Sequence, residues 1–399
     1  MLITRGTLAA ERDRLDDAAK VLGEALALAK TTGSAQQQVR ALLQQAIVAR
    51  KRGELAEAER VTNEGVELAR RNDLETLAMQ GLFTAANVHF IKIKNEFDQA
   101  EAGFERALEI ATRYRDEGNQ ARAWLSLSSM NVRRAMPNKA AEYLAKARPF
   151  YEKAGNARVM GQLEALELAT NKLQGRYVLV ENALRRKMAA IQNAEAKLEA
   201  AVALRALLLD MGRWPEALAI VGSTGPGDHL AEAEALAALG RDREARDAWQ
   251  KASAGAPKSL AFKTRLGFAE AWINLLAGRP VEARSGFEQL AVDGRAEPGV
   301  SLLSRLRICQ CAAWGGALDA SRICESLVAD ARRNGNESFV ALARLYLAEW
   351  HTIRREKLQA ITVLTEMHAS AREWGVSEWR WRALMISKAF GMPENGVFT

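Results

Sequence analysis

The side chains able to do chemistry in this chain are few and scattered. Four histidines, His89, His229, His351 and His368, lie in separate stretches of the 399 residues. None stands in an H-E-x-x-H pattern or beside cysteine and carboxylate at zinc-ligand spacing. His351 and Glu349 are two residues apart, as are His368 and Glu366. On a helix such pairs point to different sides and cannot share a proton. Three cysteines, Cys309, Cys311 and Cys324, are too few and too clustered for a disulfide framework, and their odd number argues for reduced thiols buried as small apolar groups. The glycine-rich "GSTGPG" at 222–227 has neither a preceding strand nor a following Lys-Ser/Thr, so it reads as a loop rather than a phosphate cradle. The tryptophans Trp350, Trp374, Trp379 and Trp381 are either a stacking platform for a base or a proline-rich peptide, or the seam of a capping helix. No catalytic centre, metal site or cofactor is expected, and the chain is read as a non-enzyme.

Charge is better organised. Lys and Arg number 56 against 49 Asp and Glu, for a net charge of +7 and a sequence pI near 9.4. Residues 34–52 and 119–134 hold only bases, whereas 96–110 is mainly acidic. Such segregation requires regular elements that present one face each. The chain is 48% apolar, rich in Ala and Leu, with eight prolines, which favours helix over strand. The apolar stretch 200–212 is broken by Arg205 and is too short for the ~20 residues of a membrane span. The first residues, "MLITRGTLAAERDR", lack the apolar core and cleavage site of a signal peptide. A cytoplasmic setting is expected, with no membrane contact.

The helices repeat. In "NEFDQAEAGFERALEIATRYR" (95–115), Ala100, Phe104 and Ala107 share one helical face, a large side chain between two small ones. Small residues at equivalent places are Ala18, Ala58, Ala100, Ala140, Val180, Ala217, Ala245, Ala283, Ala320 and Ala360, with steps of 40, 42, 40, 40, 37, 28, 38, 37 and 40. Four residues later stand the larger side chains Leu22, Thr62, Phe104, Leu144, Leu184, Val221, Trp249, Phe287, Cys324 and Leu364. Five residues before the small position lie turn glycines at Gly53, Gly175, Gly212, Gly240 and Gly278; twelve before it, six units carry a small residue, such as Gly6, Ala46 and Ser128. Each unit is therefore helix, tight turn, helix. A two-helix unit cannot bury its apolar stripe alone, so units must stack.

The cadence resembles the tetratricopeptide repeat family in its longer, ~40-residue form. The segments "ARAWLSLSS" (121–129), "KAAEYLAKARPFYEKAG" (139–155), "GRWPEALA" (212–219) and "SEWRWRALMISKAFG" (377–391) are similar to the C-terminal repeat regions of large bacterial serine/threonine protein kinases. The kinase glycine-rich loop, strand lysine, H-R-D and D-F-G motifs are absent from the sequence. The resemblance implies an all-α solenoid, a right-handed superhelix of about ten repeats plus a C-terminal helix. It divides into an N-terminal arm (1–221), a loop or hinge (222–228), a C-terminal arm (229–376) and a terminal helix and tail (377–399). The first unit has a shortened first helix, which fits a fragment of a larger kinase or regulator, or an alternative start.

The resemblance also implies that first helices line an inner groove, at places 18, 11, 8 and 7 before the small residue. In the second to fourth units those places hold Arg40, Arg50, Lys51, His89, Lys92, Arg122, Ser129 and Arg133. A basic groove calls for an acidic peptide or protein partner. The reading is a scaffold or docking region of a bacterial signalling protein. The alternative is an RNA-binding helical array, which the uneven steps disfavour because base-per-repeat reading needs a strict register.

Overall fold

The computed structural model describes residues 1–91, 96–220, 225–257, 260–292, 298–371, 373–375 and 377–391. Among the described residues there is no strand, and the helices follow one another as antiparallel pairs. The first four pairs are α1 (Leu2–Glu11) with α2 (Leu15–Thr31), α3 (Ala35–Lys51) with α4 (Leu55–Arg71), α5 (Glu75–Ile91) with α6 (Phe97–Arg113), and α7 (Glu117–Arg133) with α8 (Pro137–Ala154). Then come α9 (Ala157–Leu173) with α10 (Tyr177–Ala190), α11 (Ala194–Asp210) with α12 (Trp214–Ala219), and α13 (Pro226–Ala238) with α14 (Asp242–Ala254). The last are α15 (Leu260–Leu276) with α16 (Pro280–Val292), α17 (Pro298–Trp314) with α18 (Ala320–Asn334), and α19 (Glu337–Ile353) with α20 (Lys357–Ser370), followed by a single helix α21 (Glu378–Ala389). The described residues form an all-α array of ten helix pairs and a terminal helix, as the repeat cadence requires.

Local sequence explains where helices stop. All five turn glycines expected from the sequence have φ between +71° and +80°, the left-handed conformation that costs glycine little. At Gly53 the motif is complete: Gly53 N–H donates to Arg50 O at 3.1 Å and Glu54 N–H to Ala49 O at 2.9 Å, satisfying carbonyls that the helix end leaves open. Asp13, Ala135 and Arg355 occupy the same place in their units, at φ +60°, +55° and +60°. Geometry therefore persists where glycine does not. Helix starts use Ser34, Asn193, Asn336 and Ser377, whose side chains accept from backbone N–H groups three residues on.

The small positions pack as expected. All ten are buried, nine of them at 1% exposure or less. Phe104 is 1% exposed, with its ring 6.3 Å from that of Phe83 on α5. A methyl group added at Gly6 would come within 2.6 Å of Leu22. The residue twelve before the small position thus receives the knob four after it. Val221, the sixth unit's knob, lies outside the described residues.

The helices form two compact units. One comprises Met1–Met130 and Ala140–Glu164, the other Asn131–Lys139 and Ala165 onward. The first is centred on Met79, Phe83, Ala100, Phe104, Leu127 and Met130. In the second, the stack returns to its own beginning. Tyr177 of α10 meets Trp374, with ring centroids 5.2 Å apart, Ser338 Oγ of α19 donates to Lys172 O of α9 at 2.6 Å, and Glu378 N–H of α21 donates to Met211 O at 3.0 Å. Helices α10 to α12, placed in an N-terminal arm by sequence, therefore share one core with α17 to α21. The second unit spans the 222–228 loop: 222–224 lie outside the described residues, and Gly225 leads directly into α13.

One sequence expectation is corrected. Cys309 and Cys324 are joined by a disulfide, with Cα atoms 5.1 Å apart. Cys324 is the knob of its unit and Cys309 lies on the facing first helix, so antiparallel pairing brings them within bonding range. Cys311 alone is free; it is buried, and burial pushes its thiol up to about 12.

Two substitutions check this packing. Ala100→Phe overfills the α5–α6 pair and is expected to cost ~1–3 kcal/mol in denaturant unfolding; a neutral result means the register is wrong. Arg355→Gly should stabilise the chain by about 0.5–1 kcal/mol, since a left-handed non-glycine residue costs ~1–2 kcal/mol and glycine returns only part of that through unfolded-chain entropy. The melting temperature measures it.

Candidate functional site: inner faces of the first helices

In the first unit the expected groove residues separate by role. Arg40 on α3 is exposed and Arg50, in the last turn of α3, is half-buried. Neither makes an ion pair among the described residues. Lys51 is engaged within the fold, where its Nζ donates to Ala10 O at 2.6 Å and closes the C-terminal end of α1. His89 Nδ1 lies 2.7 Å from a Glu96 carboxylate oxygen. Lys92 is outside the described residues. Ser129 is half-buried on α7, and Arg133, in the last turn of α7, belongs to the other compact unit.

Arg122 lies within electrostatic reach of Arg50. The Arg122 guanidinium stands 4.5 Å over the Phe83 ring. Its pKa is lowered, first by loss of water around it; the Tyr151 hydroxyl opposes this, and Arg50 adds like-charge repulsion. Solvent still reaches the side chain. A group that water touches yet protein surrounds is one standing in a concave surface. Arg122 on α7 thus lies against the buried Phe83 of α5 and within electrostatic reach of Arg50 on α3. Among the described residues no carboxylate pairs with either cation. The second helices carry their charges on the opposite side, where Arg60 is bracketed by Glu57 and Glu64 and Arg106 pairs with Glu109. Such exposed i,i+3 and i,i+4 pairs contribute little stability.

The second unit has a different inner face, which the sequence reading did not pick out. The same offsets select Lys172, Asp210, Glu234, Trp272 and Glu349 on α9, α11, α13, α15 and α19. Here opposite charges are mostly matched. Lys172 Nζ lies 2.7 Å from Asp210, Arg205 pairs with Asp228, and Arg307 donates to Tyr346 Oη at 2.8 Å and to Gln310 Oε1 at 2.6 Å while stacking 4.0 Å over Trp272. Glu234 differs: among the described residues no hydrogen bond or ion pair holds its carboxylate. Burial pushes it up to about 7, against the pull of Arg265, Arg307 and Arg205 and with added repulsion from Asp210. Applying the first-helix register beyond the fourth unit would have found this face.

Of the aromatic residues considered as a platform, Trp350, Trp374 and Trp379 are buried and only Trp381, at 56% exposure, faces outward. They fill seams of the second unit. No group of His, Cys, Asp or Glu side chains suited to a metal ion occurs among the described residues, and no described helix is long and apolar enough to cross a membrane.

No known sequence family matches the chain, and no curated protein matches it. Solved structures do show likeness. The Cut9–Hcn1 hetero-tetramer of the APC/C is 12% identical, with 96% of this chain and 82% of that one aligned at a TM-score of 0.46. Yeast Tom70 is 11% identical over 98% and 95%, at 0.34, and the P58(IPK) TPR domain 16% identical over 98% and 97%, at 0.26. These are helical-repeat proteins of the tetratricopeptide type.

Glu234 provides a pH signature. Its folded-state pKa lies above the usual carboxyl value, so the folded chain holds this proton more tightly than the unfolded one. Its stabilising contribution is full at low pH and is lost as pH rises through about 7. Glu234→Gln should therefore melt higher than wild type at pH 8 and show a flatter melting profile between about pH 5 and 7.

Proposed function

We propose that this array is a protein-interaction scaffold whose first unit holds an acidic segment of a partner against its inner face. The observation that carries this is the convergence of Arg50 and Arg122 beside Phe83 with no carboxylate among the described residues to neutralise either. Like charges held close raise the free energy of the empty site, and an acidic side chain laid between them relieves that repulsion while gaining charge-assisted hydrogen bonds. Lys51 and His89 serve the fold instead, since each is engaged within the chain.

A docking role in a bacterial signalling protein accords with the kinase-associated segments. Those segments also contribute to packing: Leu127, Leu144, Ala217 and Trp379 are all buried. The Cys309–Cys324 disulfide favours an oxidising setting.

Fluorescence anisotropy with a labelled oligoglutamate peptide tests the acidic-partner reading. Charge reversal at both Arg50→Glu and Arg122→Glu should weaken binding by ~10²- to 10⁴-fold, the effect of losing two hydrogen bonds to a charged group at about 1.5–3 kcal/mol each, and leave thermal unfolding nearly unchanged. Unaltered affinity overturns it. A single-stranded RNA of equal charge that binds more tightly, with a steep log–log dependence on salt, would establish nucleic-acid binding in its place.

A further inference from the structure

The terminal helix α21 is not stacked as an eleventh first helix. A helix in that position would lie against α19 and α20 alone. Two anchors carry α21 further. Trp379, 2% exposed, inserts between Trp214 and Tyr346, with ring centroids at 6.0 and 6.4 Å in edge-to-face geometry, and its Nε1 donates to Asp210 O at 2.6 Å. Arg382, one helical turn on, pairs with Glu349 and stacks 4.9 Å over Trp314 of α17. Trp314 Nε1 donates to the same Glu349 carboxylate at 2.7 Å. Glu349 occupies an inner-face place. α21 therefore reaches past α20, its aromatic wedge in the core and its guanidinium three residues on against the inner-face Glu349.

Beside it a cavity of about 460 Å³ stays open, lined by Trp314, Ile353, Trp381, Met385 and Ile386 around the Glu349–Arg382 pair. Trp381, Met385 and Ile353 are 56%, 47% and 57% exposed there. α21 itself is 12 residues long, too short to be a stable helix without its dock.

We propose that the inner face at α17 and α19 is a receptor for an amphipathic helix bearing Trp and Arg at i and i+3, that α21 fills it in cis, and that a partner helix of the same chemistry binds by replacing α21. The surface is separate from the Arg50–Arg122 face and stands or falls without it. Glu349 is the discriminating group: buried and already accepting from Trp314, it needs a guanidinium or ammonium opposite.

The probe is a labelled peptide of residues 377–391 added to the full chain. The double variant Trp379→Ala, Arg382→Ala vacates the dock and should bind the peptide saturably. Wild type should bind it at least ~10-fold more weakly, since its own helix competes at an effective concentration near the millimolar range. Adding Glu349→Gln to the vacated chain should abolish binding. Equal binding to wild type and variant overturns the proposal, as does no binding to a vacated chain that keeps its helical circular dichroism and cooperative melting. Should the double variant fail to fold, hydrogen exchange on wild type decides: amides of 378–389 exchanging ahead of 337–353 support an exchangeable occupant, and equal protection overturns it.

Discussion

Every part of this molecule depends on how closely two helices of one pair approach. The axes come together because one helix offers a Gly, Ala or Ser where the other drives in a Leu or Phe, as at Gly6 and Leu22. A pair so joined has buried one stripe and still exposes another. Stacking covers that second stripe, with α4 against α5 and α17 against α19. Burying a knob such as Phe104 stabilises by ~1.5–3 kcal/mol, and the array collects that gain at each step.

Close pairing also settles where function can reside. Second helices turn their apolar face inward to the pair and their charged face to water. First helices are pressed between neighbours, so the strip of each that remains accessible belongs to the inner face. Polar groups on that strip lose water on several sides at once. This is why Arg122 and Glu234 move from their ordinary pKa in the direction that burial dictates, even though solvent touches both. The same desolvation strengthens any charged contact a partner makes there.

The two units use that strip differently. In the first, Arg50 and Arg122 lie within electrostatic reach of one another with no carboxylate paired to either among the described residues. In the second, acid and base are interleaved and the stack returns on itself, sealed by Tyr177 on Trp374 and by Trp379 between Trp214 and Tyr346. Aromatic rings suit such a seam because they bury large area with little conformational entropy to lose.

Sequence alone determined the ten helix pairs, their turns and the residues at their contacts, because these rest on interactions within about 40 residues and on side-chain volume, both of which leave a periodic trace. The register implied by the repeat resemblance also made Arg50 and Arg122 candidates for the inner face. Tertiary structure decided the rest. That Lys51 caps α1 depends on a carbonyl 41 residues away, and the Cys309–Cys324 bond on the facing of α17 and α18, which the spacing along a single helix could not reveal. The return of α9 and α11 onto α19 and α21 joins residues more than 160 positions apart, as in Ser338 to Lys172 and Trp379 to Asp210. Such contacts have no period: small rotations from each pair to the next accumulate until distant surfaces meet, and only the summed geometry says which ones.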